Sequence, residues 1–366
     1  MPMPVLRELS PFGRVVLLAT LGLSAAAIAM EYLVGVHGTP LFLVSAAAIL
    51  GLAYVVGIST ERLGALTGPQ VGGILNATFG NVAELIIAFF ALRAGLLEVV
   101  KASITGSIIG NLLLVLGASL LAGGLRHGRQ RFDAKVAGLD ATLLVLAVIG
   151  LFIPAVFALA GGQAAGEPGR VEENVLVSLV LMVLYFLALG YRFRHPSQVL
   201  GGGEHPEAHA GPAWSAPVAI AVLGLTAVLL AVVSEALVGA IEPFVDAFGL
   251  TALFAGVILI PTIGNLAEHL VAVQLAWKDR MDFAMAVAIG SSLQVALFVA
   301  PVLVLLGLLV GQPMDLVFTP LEVAAVAAAA GITALIAFDG ESNWLEGALL
   351  LGVYLILAVS FFFLRG

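Results

Sequence analysis

Apolar residues run almost unbroken along this chain, in stretches of about 20 or more separated by short segments that hold most of its charge. A run of that length matches the ~20 residues an α-helix needs to cross ~30 Å of hydrocarbon. Eleven such stretches can be laid out, at about 14–36, 40–62, 68–93, 98–123, 134–159, 173–194, 215–241, 250–277, 281–310, 318–338 and 343–364. The pattern predicts an all-α polytopic membrane protein of about 11 transmembrane helices, because only helices and closed barrels satisfy their backbone polar groups in lipid. The one long polar interruption, 195–212, is rich in Gly and Pro and predicts a solvated linker. Its His195, His205 and His209 offer at most weak metal ligands.

A second pattern lies inside the apolar runs. The sequence G-N-V-A-E occupies Gly80 to Glu84, and G-N-L-A-E occupies Gly264 to Glu268, 184 residues further on. A carboxylate at the centre of a hydrocarbon-spanning helix costs roughly 2.5–3.5 kcal/mol on insertion scales. Two of them in matching contexts read as the halves of one polar site. The same offset relates Gly106-Ser107 to Gly290-Ser291, and an offset of 174 relates Thr60-Glu61-x-Leu63 to Ser234-Glu235-x-Leu237. The chain therefore divides into an extra N-terminal span (1–37), a five-span repeat (38–194), a linker (195–214) and a second five-span repeat (215–366). An odd number of spans per repeat makes the second copy inverted relative to the first. Inverted repeats with a site near the midplane are a transporter architecture.

Residues three apart share a helix face. Thr78, Asn81 and Glu84 are expected to form one column of hydroxyl, amide and carboxylate oxygens, and Thr262, Asn265 and Glu268 a second. Gly72-Gly73 and Pro261 could break their helices and free backbone carbonyls. Such oxygens suit a hard cation such as Ca²⁺. One divalent ion neutralises two carboxylates, and so do two protons, so the two compete and can be coupled by alternating access. Glu84 and Glu268 are the expected metal and proton carriers. Ca²⁺ is then cargo, and no resident cofactor is expected.

Ser107 and Ser291 open the following span of each repeat and could complete the shell, as could Asn111 and Gln294 at slightly different spacings. Each of the four could equally be a polar group packed between helices. His269 could orient Glu268 or carry a proton, or simply pack. Glu61 and Glu235, nearer span ends, are candidates for a cation vestibule. Asp140 and Glu322 read as solvated helix ends.

Composition narrows the picture further. With 61% hydrophobic and 10% charged residues, the chain does not have a soluble globular composition, and its 42 glycines suit close helix packing in lipid. Cysteine is absent, which excludes disulfides and thiolate sites. Net charge is −8 and the basic residues sit in loops, so nucleic acid is not an expected partner. With the N-terminus in the cytoplasm, eleven of the fifteen Lys and Arg fall inside and the C-terminus lies outside. The expectation is an integral protein of the cell membrane with the bilayer, Ca²⁺ and H⁺ as its partners; oligomeric state is not legible. The first apolar run lacks a small-residue cleavage site, so no cleavable signal is read.

At these residues the chain resembles the calcium/proton exchanger (CAX) family of the cation/calcium exchanger superfamily. The resemblance is carried by GGILNATFGNVAELIIAFFAL (72–92) and GVILIPTIGNLAEHLVAV (256–273), with GSIIGNLLLVLG (106–117) and GSSLQVALFVAP (290–301) in support. It implies eleven spans, two inverted repeats, and Ca²⁺ movement driven by protons with Glu84 and Glu268 essential. It departs from the family in its short linker, where Glu204 and Glu207 are the only acids of an often acidic segment. Two other readings stand beside it. A sodium-coupled exchanger of the same superfamily would carry more intramembrane acid, Ser and Thr ligands. An intramembrane metalloenzyme would need an H-E-x-x-H or similar ligand set, and none is present. A channel with the same polar site is disfavoured by the inverted repeat.

Overall fold

The computed structural model describes residues 10–67, 75, 78–161, 168–194 and 214–364. The linker, with His195, His205 and His209, and the Gly72-Gly73 pair lie outside the described residues. In chain order the helices are α1 (Pro11–Val34), α2 (Thr39–Thr67), α3 (Val82–Arg93), α4 (Leu97–His127), α5 (Ala134–Leu159), α6 (Pro168–Arg194), α7 (Ala216–Gly239), α8 (Ile241–Phe248), α9 (Ala252–Trp277), α10 (Met281–Leu309), α11 (Pro320–Asp339) and α12 (Trp344–Phe363). Ten of these are long and apolar enough to cross a membrane. The remaining expected span, 68–93, is represented by the 12-residue α3, preceded by a turn at Gly80 and Asn81, with its earlier part mostly outside the described residues.

Helix starts follow local chemistry. The Asp133 carboxylate accepts from the Lys135 and Val136 amides ahead of α5. Thr319 with Glu322, and Asn343 with Glu346, form capping boxes at α11 and α12.

Among the described residues four helices contain a π turn: Met30–Val34 in α1, Gly110–Val115 in α4, Ala255–Leu259 in α9 and Val295–Val299 in α10. Two have a visible cause. Pro261 and Pro301 stand two residues after a π turn. Each lacks an N–H for the carbonyl four residues back, and its ring would crowd that oxygen in a regular helix. Widening the preceding turn by one residue relieves both problems. The α4 turn has no proline, yet it sits where the α10 turn sits in the other repeat.

The fold forms two compact units that cut across the sequence repeats. One holds α1, α2, α3, α7, α8 and the stretch Ile263–Ala267 of α9. Its core includes Leu17, Val55, Val56, Leu63 and Val222. Gly51 of α2 lies directly beneath Thr20 of α1, leaving no room for a Cβ. The short α8 was not anticipated. It is amphipathic, burying Ile241, Phe244 and Val245 with Phe244 stacked on Phe42 at 4.0 Å.

The second unit holds α4, α5, α6, both ends of α9, and α10 to α12. Here α4 meets α12 through Gly117, Gly124 and Gly347, each against backbone atoms of the facing helix. The same helix meets the start of α9 through Gly106, which abuts the Val257 carbonyl, and Gly256, which abuts Ala102. Small residues at such crossings let helices approach to backbone contact. A two-residue antiparallel ladder pairs β1 (Gln130–Arg131) with β2 (Glu341–Ser342), Gln130 opposite Ser342. The extended segment before α11 is tied down by Asp315, which pairs with Lys101 at 3.0 Å and Arg170 at 2.8 Å.

Two expectations are corrected here. Asp140 and Glu322 are buried, not solvated. The Arg192 guanidinium donates to Asp140 at 2.6 Å. Glu322 accepts from the Thr105 hydroxyl at 3.0 Å and from the Thr319 amide at 2.8 Å. Their places near helix ends hid the partners that neighbouring helices supply.

Candidate functional site

The two motif copies are held by different backbones. In the first, the chain turns at Gly80 and Asn81, and α3 begins at Val82. Asn81 has φ −102° and ψ 23° and makes no side-chain cap bond. Glu84 therefore sits in the first turn of α3, where the unpaired backbone N–H groups and helix dipole favour negative charge. Both Asn81 and Glu84 are buried. Thr78 precedes the turn and is exposed. The expected column from Thr78 through Asn81 is thus broken: the helical spacing holds only where the helix is continuous, and here it begins after Asn81.

In the second copy Thr262, Asn265 and Glu268 do lie on one uninterrupted helical stretch, Ile260–Trp277. Asn265 is buried and Glu268 is half-buried. The Thr262 hydroxyl donates to the Ile258 carbonyl at 2.6 Å and also bonds Tyr354 of α12. Its oxygen is thereby partly committed. Tyr354 was not singled out from the sequence, where it is one polar ring in the apolar run L-G-V-Y-L-I-L.

The second unit holds a polar chain. The Asn111 amide donates to the Ser291 hydroxyl at 3.0 Å, and Ser291 hydrogen-bonds the Glu268 carboxylate. Asn111 comes from the π turn of α4 and Ser291 from α10, so each repeat contributes a member. This orders the serine: its oxygen accepts from the amide and its proton points to the carboxylate. Both are buried, as is Ser107; Gln294 is half-buried.

Within the first unit, Gly264 faces Glu84. A Cβ at position 264 would lie 3.0 Å from the Glu84 Cγ. The glycine of the second copy thus leaves space that the carboxylate stem of the first occupies, a role that spacing alone does not reveal. His269 is buried, and its Nε2 has no hydrogen-bond partner among the described residues. Glu61 is exposed. Glu235 accepts from the Tyr32 hydroxyl at 3.3 Å and lies 3.6 Å from the Arg93 guanidinium. Among the described residues no three His, Cys, Asp or Glu side chains cluster as a metal site. A cation bound at either glutamate would draw on amide, hydroxyl and backbone oxygens besides the carboxylate, which is ligand chemistry that Ca²⁺ accepts.

A model of the sodium/calcium exchanger protein family matches residues 37–194 and 218–363. A Ca²⁺/H⁺ antiporter of Aphanothece halophytica is 45% identical over 337 residues, covering 88% of this chain and 90% of the relative. The Ca²⁺/H⁺ antiporter ChaA of Bacillus subtilis is 42% identical over 327 residues, covering 88% and 92%. The solved structure of native YfkE superposes with a TM-score of 0.82 at 36% identity, over 95% of this chain and 100% of that one. Motif, helical architecture and these matches agree, and the chain belongs to the sodium/calcium exchanger family, within its calcium/proton exchanger (CAX) branch.

Proposed function

We propose that this integral membrane protein is a secondary active antiporter that exchanges Ca²⁺ for H⁺ by alternating access. In this reading Glu84 and Glu268 carry either the cation or protons. The reading rests above all on the duplicated G-N-x-A-E motif inside apolar helices. Two ionised carboxylates at the bilayer centre would cost on the order of 5–7 kcal/mol by insertion scales. One divalent ion removes that charge, and protons remove it equally. A site that crosses only when neutral couples the two movements. Asn81 and Asn265 supply amide oxygens, and Ser291, ordered by Asn111, shapes the Glu268 side. The ion is cargo, and no resident cofactor takes part. The names of the relatives, Ca²⁺/H⁺ antiporters, support the choice of ions.

The excess of Lys and Arg on one side supports a cytoplasmic N-terminus and an external C-terminus, and residence in the cell membrane is part of the same proposal.

The test is ⁴⁵Ca²⁺ uptake into sodium-free proteoliposomes under an imposed pH gradient. Uphill uptake is expected, with other divalent ions as competitors. Apparent affinity should weaken as pH falls, because protonated carboxyls are poor ligands. Uptake that ignores a pH gradient and follows a sodium gradient would replace this reading with sodium coupling.

A further inference from the structure

Away from the glutamates, α5, α6 and α10 enclose a groove of about 360 Å³, within the size range of small-molecule sites. One wall is Leu139, Leu143, Leu146 and Ala147 of α5, a single helix face. The other is Leu184, Leu187, Ala188 and Tyr191 of α6, again one face. Leu297, in the π turn of α10, lies between them. Leu146 and Leu187 are 55% and 64% exposed, so the groove opens outward along its length. At hydrocarbon depth the medium that reaches such a surface is acyl chain.

One end of the groove is polar. The two walls are bridged there by Arg192 and Asp140, a pair that neutralises itself. One turn beyond Leu139 on α5 is Lys135, and one turn beyond Tyr191 on α6 is Arg194. Both are exposed, and neither forms an ion pair among the described residues. Each wall therefore ends in one cation on the same side. That charge selects among lipids: a phosphodiester with no compensating cation of its own fits better than a zwitterion. We infer that this groove is a binding site for an anionic glycerophospholipid, with an acyl chain between the leucine walls and its phosphate between Lys135 and Arg194.

Native mass spectrometry of the purified full chain, loaded with equal phosphatidylglycerol and phosphatidylcholine, tests this. Wild type should retain phosphatidylglycerol preferentially. Each basic residue near a membrane surface gives about a fivefold preference for anionic lipid, so Lys135→Gln with Arg194→Gln should lower phosphatidylglycerol retention about 25-fold and leave phosphatidylcholine unchanged. Ala188→Phe, which fills the groove, should lower retention of both. Thermal unfolding checks that the variants are folded, and the exposed double substitution decides the matter if Ala188→Phe is not. Equal retention of both lipids by wild type, or phosphatidylglycerol retention unaffected by the substitutions, would overturn the site. So would a lipid-free dimer that Ala188→Phe dissociates, which would assign the groove to a second copy of the chain.

Discussion

The two copies of G-N-x-A-E differ in one residue of five and in almost everything the backbone does with them. In the first copy the chain turns at Gly80-Asn81 and Glu84 stands at a helix start, buried, with the amide ends of α3 behind it. In the second the helix runs through, and Glu268 stands mid-helix, half-buried, held by Ser291 and through it by Asn111. One carboxylate stands at a helix N-terminus, where the helix dipole favours negative charge, and the other is hydrogen-bonded by a serine of α10. The flanks explain the split. Pro261 puts the irregularity of the second copy upstream, in the π turn, and the helix is regular by the time it reaches Gly264. Near-identity over five residues thus transmits a chemistry and not a conformation.

The largest effect should come from erasing the carboxylates. Glu84→Gln and Glu268→Gln should each reduce pH-driven Ca²⁺ uptake by about 100-fold, the scale of a lost bond to a charged group, ~3 kcal/mol, with expression unchanged. Substantial uptake in one variant would show that the copies are functionally as unlike as their backbones.

Glycines come next. Gly106→Ala drives a Cβ into the Val257 carbonyl, a backbone atom that cannot step aside. It should lower stability by roughly 3 kcal/mol, the upper range for overpacking. Gly264→Ala meets first the Glu84 side chain, at 3.0 Å, with the Glu84 Cα at an ordinary 3.9 Å. It should leave the melting temperature nearly unchanged and weaken Ca²⁺ affinity several-fold. Equal thermal losses in both would refute the distinction between backbone and side-chain contact.

Pro261→Ala tests the π turn of the second copy. Restoring an N–H and removing the ring should raise the melting temperature, in the direction of proline's ~3 kcal/mol helix penalty. Transport should fall, because Thr262 and the carbonyls around it are re-aimed. Unchanged transport would mean that the irregular turn is incidental to the ion path.

The smallest contrast is between the amides. Asn81→Ala and Asn265→Ala should both weaken Ca²⁺ binding. Asn265 lies inside a helix, where alanine regains up to ~0.7 kcal/mol of propensity; Asn81 lies before one and has no such compensation. Asn81→Ala should therefore lower the melting temperature more, and the reverse order would place Asn81 in a regular helix.

Much of this was legible in the sequence, for reasons that follow from lipid as solvent. Hydropathy placed the long helices because a spanning segment must satisfy its own backbone. The repeat exposed Glu84 and Glu268 because charge in hydrocarbon is rare. What escaped notice depended on partners or on one-residue irregularities. The Asp140–Arg192 pair joins residues 52 apart in sequence, and Asn111 reaches Ser291 across 180. The turn at Gly80-Asn81 cannot be read from its dipeptide, since the same Gly-Asn at 264–265 lies inside an uninterrupted helix. The π turns shift register by one residue inside long, mostly apolar runs, where too few polar positions remain for the periodicity to report them. Prolines 261 and 301 were the available signal, and Pro261 was read only as a possible break.

The π turn in α10 stands between the groove and the serine on a single helix. It contributes Leu297 to the groove, and it follows directly on the segment carrying Ser291 and Gln294. A π turn holds one more residue than the α turn it replaces, so passing that residue along the helix moves about 1.5 Å of length and turns the side chains it passes by about 100°. The helix has this slack without breaking. Leu297 in the groove and Ser291 beside the carboxylate thus stand about two turns apart on one helix, with its extra residue lying between regular segments on either side.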